Sequence, residues 1–252
     1  MRLLKPSFRN RYLINIIMSE NYYINNLYSF QDLVLKLIMK VDNTFYLTGG
    51  TALGRHYLKH RYSDDLDLFV NRNNDFKQLT DIIISQLKKH FPGIEIALLS
   101  EDFARIFIHY KEHRLKIEFV NDVLFHTGEI QSANFFHRID SWENILSNKI
   151  CALSRDEAKD VADLIFLSMK YHFTWETIVN YAREKDTWVN EIEVSQLLYK
   201  FDTRRFTKIN WIKEPEYDYM QKVCQIIAKD IINGGKNSLA RGQSAKREMR
   251  GK

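Results

Sequence analysis

The period of the apolar positions changes near residue 140. Between Ser29 and Val41, the residues Leu33, Val34, Leu37, Ile38 and Val41 fall on one helical face. Thr44 to Leu47 reads as a short strand stopped by Gly49-Gly50. Ala52, Leu53, His56 and Tyr57 then recur at helical spacing, so the pattern is strand, glycine turn and a helix starting at Thr51. Leu66, Leu68 and Val70 alternate with Asp65, Asp67 and Phe69, which predicts a strand with one apolar face and one face bearing carboxylates. Phe76, Leu79, Ile82, Ile83 and Leu87 mark a helix ending before Pro92-Gly93. Strands are predicted over 94–99, 103–110 and 115–120, the last two joined by the turn Lys111-Glu112-His113.

These elements predict a mixed sheet with helices, assigned as a domain over 25–135. After Ser141 the repeat is 3.6 throughout, and helices are predicted at 142–153, 156–170, 174–185, 190–200 and 216–232, the last stopped by Gly234-Gly235. The expected architecture is therefore α+β, with an α-helical domain over 138–235. Residues 236–252 are rich in Gly, Ser and Lys/Arg and nearly devoid of apolar residues, so they are expected to form a disordered basic tail.

Composition changes this picture little. The chain has 252 residues and no apolar run long enough to cross a bilayer. Tyr12 to Met18 is a poor signal peptide, because Arg9 and Arg11 come late, Asn15 interrupts it and no small-residue cleavage site follows. Cys151 and Cys224 each sit in an apolar helical pattern, which predicts buried free thiols and suits a reducing cytoplasm. The net charge of +5 is a property of the ends: residues 234–252 carry +5 and residues 1–11 carry +4, leaving −4 for the body. Basic ends flanking an acidic body could hold a polyanion, or could simply keep the chain soluble.

The strongest chemical signal is Gly49-Gly50-Thr51 followed, after a helix-length interval, by Asp65-Leu66-Asp67. Carboxylates at i and i+2 of a strand point the same way and repel unless a divalent cation lies between them. Magnesium is the expected occupant, since it takes a few carboxylate oxygens and completes its shell with water and substrate phosphates. Paired glycines let the backbone approach a triphosphate, and the helix start offers unpaired N–H groups to it. The structural alternative is a β-turn followed by two solvated aspartates at a strand end. Neither a zinc-ligand spacing among the histidines nor a Gly-x-Ser-x-Gly or Walker-type motif is present. Trp175, Tyr181 and Trp188 read as helical core.

The stretch Leu47-Thr48-Gly49-Gly50-Thr51-Ala52-Leu53, with His60-Arg61-Tyr62-Ser63-Asp64-Asp65-Leu66-Asp67-Leu68-Phe69, resembles the signature of the AbiEii/AbiGii-toxin type nucleotidyltransferases, a branch of the DNA-polymerase-β-like superfamily. Lys149-Ile150-Cys151-Ala152-Leu153-Ser154-Arg155, followed by Lys159-Asp160-Val161-Ala162-Asp163-Leu164, is similar to that family's downstream helical motif. The resemblance covers about residues 45–168. It implies a polymerase-β-like catalytic domain, with Asp65 and Asp67 as metal ligands and Gly49, Gly50 and Thr51 in the phosphate cradle. Arg61 and Ser63 belong to the same signature and are expected to touch phosphate or brace the loop. Gly50 stands where many members of the wider superfamily have serine, and the interval to Asp65 is longer than usual there; both features suit this branch.

A third carboxylate is expected from a neighbouring strand. Glu118 is the candidate, because Lys116, Glu118 and Val120 share a face; Asp122 is the fallback. The alternative for Glu118 is a surface glutamate paired with Lys116 or Arg105. Lys149 interrupts an apolar helix face, so it either snorkels to water or reaches a buried anion, which the resemblance makes the nucleotide triphosphate. Asp160 and Asp163, three apart on one face, are expected to orient Lys149 or the base, or else to be surface residues. The implied activity is magnesium-dependent (or manganese-dependent) transfer of an NMP group from an NTP to an acceptor hydroxyl. The expected acceptor is an RNA or tRNA end, and the expected partner is a cognate antitoxin. Rival readings are a small-molecule or protein acceptor, or a nucleotide- or antitoxin-binding module without turnover.

Overall fold

The computed structural model describes residues 20–240. The basic segment 1–11 and residues 241–252 of the tail lie outside the described residues. Helix α1 (Tyr28–Met39) follows directly from a π-helical turn, Tyr22–Leu27, and buries Phe30, Val34, Leu35 and Ile38. Strand β1 (Tyr46–Thr48) runs into α2 (Gly49–Ala52), which widens into a π-helical turn, Leu53–Tyr57. The helix begins at Gly49, two residues before the expected Thr51, because Gly49 makes the corner with φ +66°. Next come β2 (Leu66–Asn71), α3 (Phe76–His90), β3 (Gly93–Leu99), β4 (Phe103–Tyr110) and β5 (His113–Asp122). His113 pairs with Tyr110, so the β4–β5 connection is the two-residue turn Lys111-Glu112, with Lys111 at φ +54°.

Two strands were not expected. β6 (Gln131–Ala133) and β7 (Phe136–Ile139) form a hairpin, and Ile139 of β7 pairs parallel with Leu47 of β1. Strands of three and four residues carry too little alternation to show a period in sequence. The sheet has seven strands in the order β3-β4-β5-β2-β1-β7-β6, mixed in direction. Its apolar face is Leu47, Leu66, Leu68, Ala104, Ile106, Leu115, Ile117 and Phe119, all fully buried. The opposite face of the central strands carries Thr48, Asp67, Glu118 and Arg105, and it is there that the chemistry collects.

Five longer helices follow, interleaved with short turns. α4 (Trp142–Ala152) starts at Ser141, whose hydroxyl accepts from the Asn144 N–H. It ends in the 3₁₀ turn Leu153–Arg155 and the left-handed Asp156, φ +54°, which delays α5 (Ala158–Lys170) by two residues relative to the expected start. α6 (Trp175–Arg183) and α7 (Glu191–Lys200) are capped by the side chains of Thr174 and Asn190. A 3₁₀ segment, Thr203–Lys208, precedes α8 (Tyr217–Ile232), which stops just before Gly234 at φ +59°. One apolar core runs without a break from the sheet into these helices, with Trp175 fully buried and Tyr181 and Trp188 packed against it. Cys224 is buried, Cys151 is partly so, and both are free thiols.

The start of the expected disordered tail is ordered. Lys236 bridges Thr174, and the buried Asn237 donates to the carbonyls of Ser168 and Tyr171. These backbone acceptors pin the chain where composition alone predicted freedom.

Candidate active site

The sheet register assembles the site. Thr48 of β1 pairs with Asp67 of β2, Asp67 with Glu118 of β5, and Glu118 with Arg105 of β4, so four polar side chains form one row across four adjacent strands. Asp65 lies two residues before Asp67 on the same face. The Lys116 ammonium stands among the carboxylates, 2.8 Å from Asp65 Oδ2 and 3.4 Å from Glu118 Oε1, and Arg105 Nε donates to Glu118 at 2.7 Å. Glu118 therefore both neighbours Asp67, as expected of a third carboxylate, and pairs with Lys116 and Arg105, as the alternative held. Asp122 sits four residues further along β5, where it pairs with Asn71.

Asp67 feels the crowding. Burial, then the charges of Glu118 and Asp65, push its carboxyl up to about 6 although Lys116 opposes them. Three carboxylates with no sulfur or imidazole form the donor set of a hard divalent cation. Among the described residues, no three His, Cys, Asp or Glu side chains are drawn together as a ready-made cage. Asp65, Asp67 and Glu118 are nonetheless the residues that fit such an ion, since a cation there relieves the repulsion that Lys116 only partly offsets.

A protonation effect follows for the metal-free protein. Because folding raises the Asp67 pKa from 3.8 to about 6, the folded state binds the extra proton in that window. The contribution to stability is fully present near pH 4 and is lost as pH rises through 6. Its expected size is about 1–2 kcal/mol. Unfolding curves at pH 4.5 and 7 for wild type and Asp67→Asn should differ by that amount in their pH response; an unchanged response refutes the crowding.

Gly50 faces the same cleft. A side chain there would begin 2.8 Å from Ser63 Oγ and 2.6 Å from Arg61 Nη2, so the space a motif serine would fill is taken by the Ser63 hydroxyl and the Arg61 guanidinium. Gly49 is equally constrained, since a Cβ would meet Asp67 Oδ2 at 2.3 Å. Thr51 is fully buried and its hydroxyl donates to the Asp65 carbonyl, so it ties α2 to the start of β2 instead of opening toward the cleft.

Arg61 and Lys149 meet in a buried cluster. Arg61 donates from Nε and Nη2 to the two oxygens of Asp163, each at 2.7 Å. Lys149 Nζ lies 2.5 Å from Asp160 and 2.8 Å from Asp163. His60 Nε2 is 2.8 Å from Asp163, and burial lowers the His60 pKa, so the ring is neutral and donates. Burial alone would raise Asp163, but the charges of Arg61 and Lys149 hold it well below the usual carboxylate range. The buried anion that Lys149 reaches is this pair of aspartates, which orient it as expected, and Lys149 also lines the cleft where the resemblance implies a triphosphate. Two buried acids of the same chain lie within bonding distance, and an ammonium in a low-dielectric setting pairs with them. Asp163 is fully buried and does not line the cleft; Asp160 does.

The cleft itself is about 610 Å³, walled on one side by Gly50, Ser63, Asp65, Asp67 and Glu118 and on the other by Arg155, Lys159, Arg205, Lys208 and Asn210. The second wall was only partly visible in sequence. Arg155 and Lys159 belong to the downstream motif, whereas Arg205, Lys208 and Asn210 carry no motif and reach the site through contacts more than a hundred residues long in sequence, such as Tyr62 N–H to the Asn210 carbonyl at 2.8 Å.

A central-strand carboxylate row beside a glycine corner, facing a helical wall, defines a nucleotidyltransferase. The chain belongs to the family described as nucleotidyl transferase AbiEii toxin, type IV toxin-antitoxin system, whose profile it matches over residues 38–223. The fold is also that of two solved proteins. A crystal structure of a "putative nucleotidyltransferase" from H. pylori aligns with a TM-score of 0.55 at 21% identity, covering 80% of this chain and 93% of that one. JHP933 from Helicobacter pylori aligns with a TM-score of 0.50 at 19% identity, covering 87% and 97%. No curated protein sequence matches the chain significantly. Among the described residues, no helix is long and apolar enough to cross a membrane.

Proposed function

We propose that the protein moves an NMP group from an NTP to the hydroxyl of an RNA end, tRNA being the first candidate, with magnesium as the working ion and manganese as a substitute. In this reading it is the toxin of a pair whose antitoxin restrains it. The observation that carries the chemistry is the in-register pairing of Asp67 with Glu118 beside Asp65, open to a cleft with Gly50 at its edge. A divalent cation bound by these three carboxylates supplies charge stabilisation at the α-phosphate and the leaving oxygen.

The chain's own groups do the rest. Gly50, at the start of α2, and Ser63 line the cleft and position the phosphates, while the missing side chains at Gly49 and Gly50 leave room for Asp67, Arg61 and Ser63. The acceptor oxygen attacks the α-phosphorus, the bond to the β-bridging oxygen breaks, and pyrophosphate leaves. The acceptor proton passes to the third carboxylate of the row, Glu118, which lies beside Asp67 on the neighbouring strand.

Incubation with each α-labelled NTP, magnesium and total RNA should label an RNA species with one NTP preferred. Label appearing only on a small molecule or on protein hydroxyls overturns the RNA acceptor and leaves the transfer chemistry standing. No label on any acceptor, with NTP still bound, favours a binding module without turnover.

A further inference from the structure

The two walls of the cleft differ in how their charges are already used. On the sheet side, Lys116 and Arg105 are committed to Asp65 and Glu118. Arg61 and Lys149 also line the cleft, but they are committed to Asp160 and Asp163, a buried set of two cations and two anions with no net charge. Arg205 is held by Asp156, whose Oδ1 lies 2.6 Å from its Nη1. Three cations of the helical wall remain. Lys159 and Lys208 are exposed, line the cleft and form no ion pair among the described residues; Arg155 is largely exposed and only 3.8 Å from Asp160. Of the acids on this wall, Asp156 pairs with Arg205 and Asp160 with Lys149, and Glu157 stands with the three cations.

A polyphosphate entering this cleft needs positive charge that is not already neutralised, because an ammonium paired with two buried carboxylates offers little net field to a third anion. We propose that Arg155, Lys159 and Lys208 hold the terminal phosphates of the bound nucleotide, the part that departs as pyrophosphate, and that Lys149 does not. The proposal rests on the nucleotidyl-transfer reading and assigns its charge-neutralising residues. Lys208 is well placed to couple this binding to the loop that carries Arg61 and Ser63, because the segment just after it is hydrogen-bonded to that loop: Tyr62 N–H donates to the Asn210 carbonyl and Ile212 N–H to the His60 carbonyl at 3.0 Å.

Calorimetric titration of the full chain with inorganic tripolyphosphate tests this without turnover. The variant Lys159→Ala with Lys208→Ala should bind about tenfold more weakly at low salt, and its affinity should depend less on salt than that of wild type. Lys149→Met with Asp160→Asn keeps the buried cluster neutral and should retain affinity within about threefold. Tripolyphosphate affinity that survives the first variant, or that collapses in the second, overturns the assignment. A short oligoribonucleotide provides the other arm: if Lys159→Ala with Lys208→Ala loses only the oligoribonucleotide, the wall serves the acceptor backbone and the proposal fails. Should the second variant not fold, Lys208→Glu, an exposed change, decides alone, with weakening of at least about tenfold expected. A wild-type chain that binds no tripolyphosphate and no NTP overturns the nucleotide reading itself, an outcome distinct from unaltered binding by the variants.

Discussion

Asp67→Asn should abolish nucleotidyl transfer, lowering the rate by roughly 10³-fold or more, while raising the stability of the metal-free protein at pH 7. The two effects have one cause. Asp67 lies between Thr48 and Glu118 in the central row of the sheet, and its carboxyl is pushed up to about 6 by burial and by the charges of Glu118 and Asp65. Asparagine keeps the shape and removes the charge, so it ends the repulsion and with it the affinity for a divalent ion. A melting temperature a few degrees higher at pH 7, with transfer lost, is the expected pair of results. Normal transfer by this variant refutes the site; loss of transfer with a lower melting temperature refutes the account of crowding.

Asp163→Asn should have the largest effect on stability. Its carboxylate accepts two bonds from Arg61, one from His60, and pairs with Lys149, and no side chain of the four is more than 9% exposed. Removing that charge leaves two buried cations sharing Asp160, at a cost of about 3–5 kcal/mol, a large part of the stability of an ordinary domain. Urea unfolding measures it, and a change below about 1 kcal/mol would show that the cluster does not hold the loop to the helices. The pH dependence has a definite sign. Because the folded pKa of Asp163 is depressed, its contribution is present above the unfolded carboxylate pKa near 4 and is lost as pH falls further toward the folded value. The variant should lack that component of acid unfolding.

Much of this was written in local sequence. The alternation around Asp65-Leu66-Asp67 placed both carboxylates on one strand face, and the face shared by Lys116 and Glu118 was equally readable. Periodicity located the five helices of the second half to within a few residues at each end. What was not legible depends on distance. No local pattern tells that β2 and β5 are parallel neighbours with Asp67 opposite Glu118, or that Arg61 joins Lys149 on Asp163. Lys208 and Asn210 face the cleft because the segment after the 3₁₀ turn is hydrogen-bonded to His60 and Tyr62. The ordered start of the tail was missed for a similar reason, since Asn237 is held by carbonyls of a helix end some seventy residues earlier.

The parallel register of β2 and β5 makes activity a readout of correct folding. A slip of one residue between those strands would turn Glu118 into the core and present Phe119 to the cleft, because side chains alternate with a period of two. A mispaired chain would carry every residue of the motif and no working centre. Any activity that this row supports would then belong only to molecules that have finished assembling their sheet.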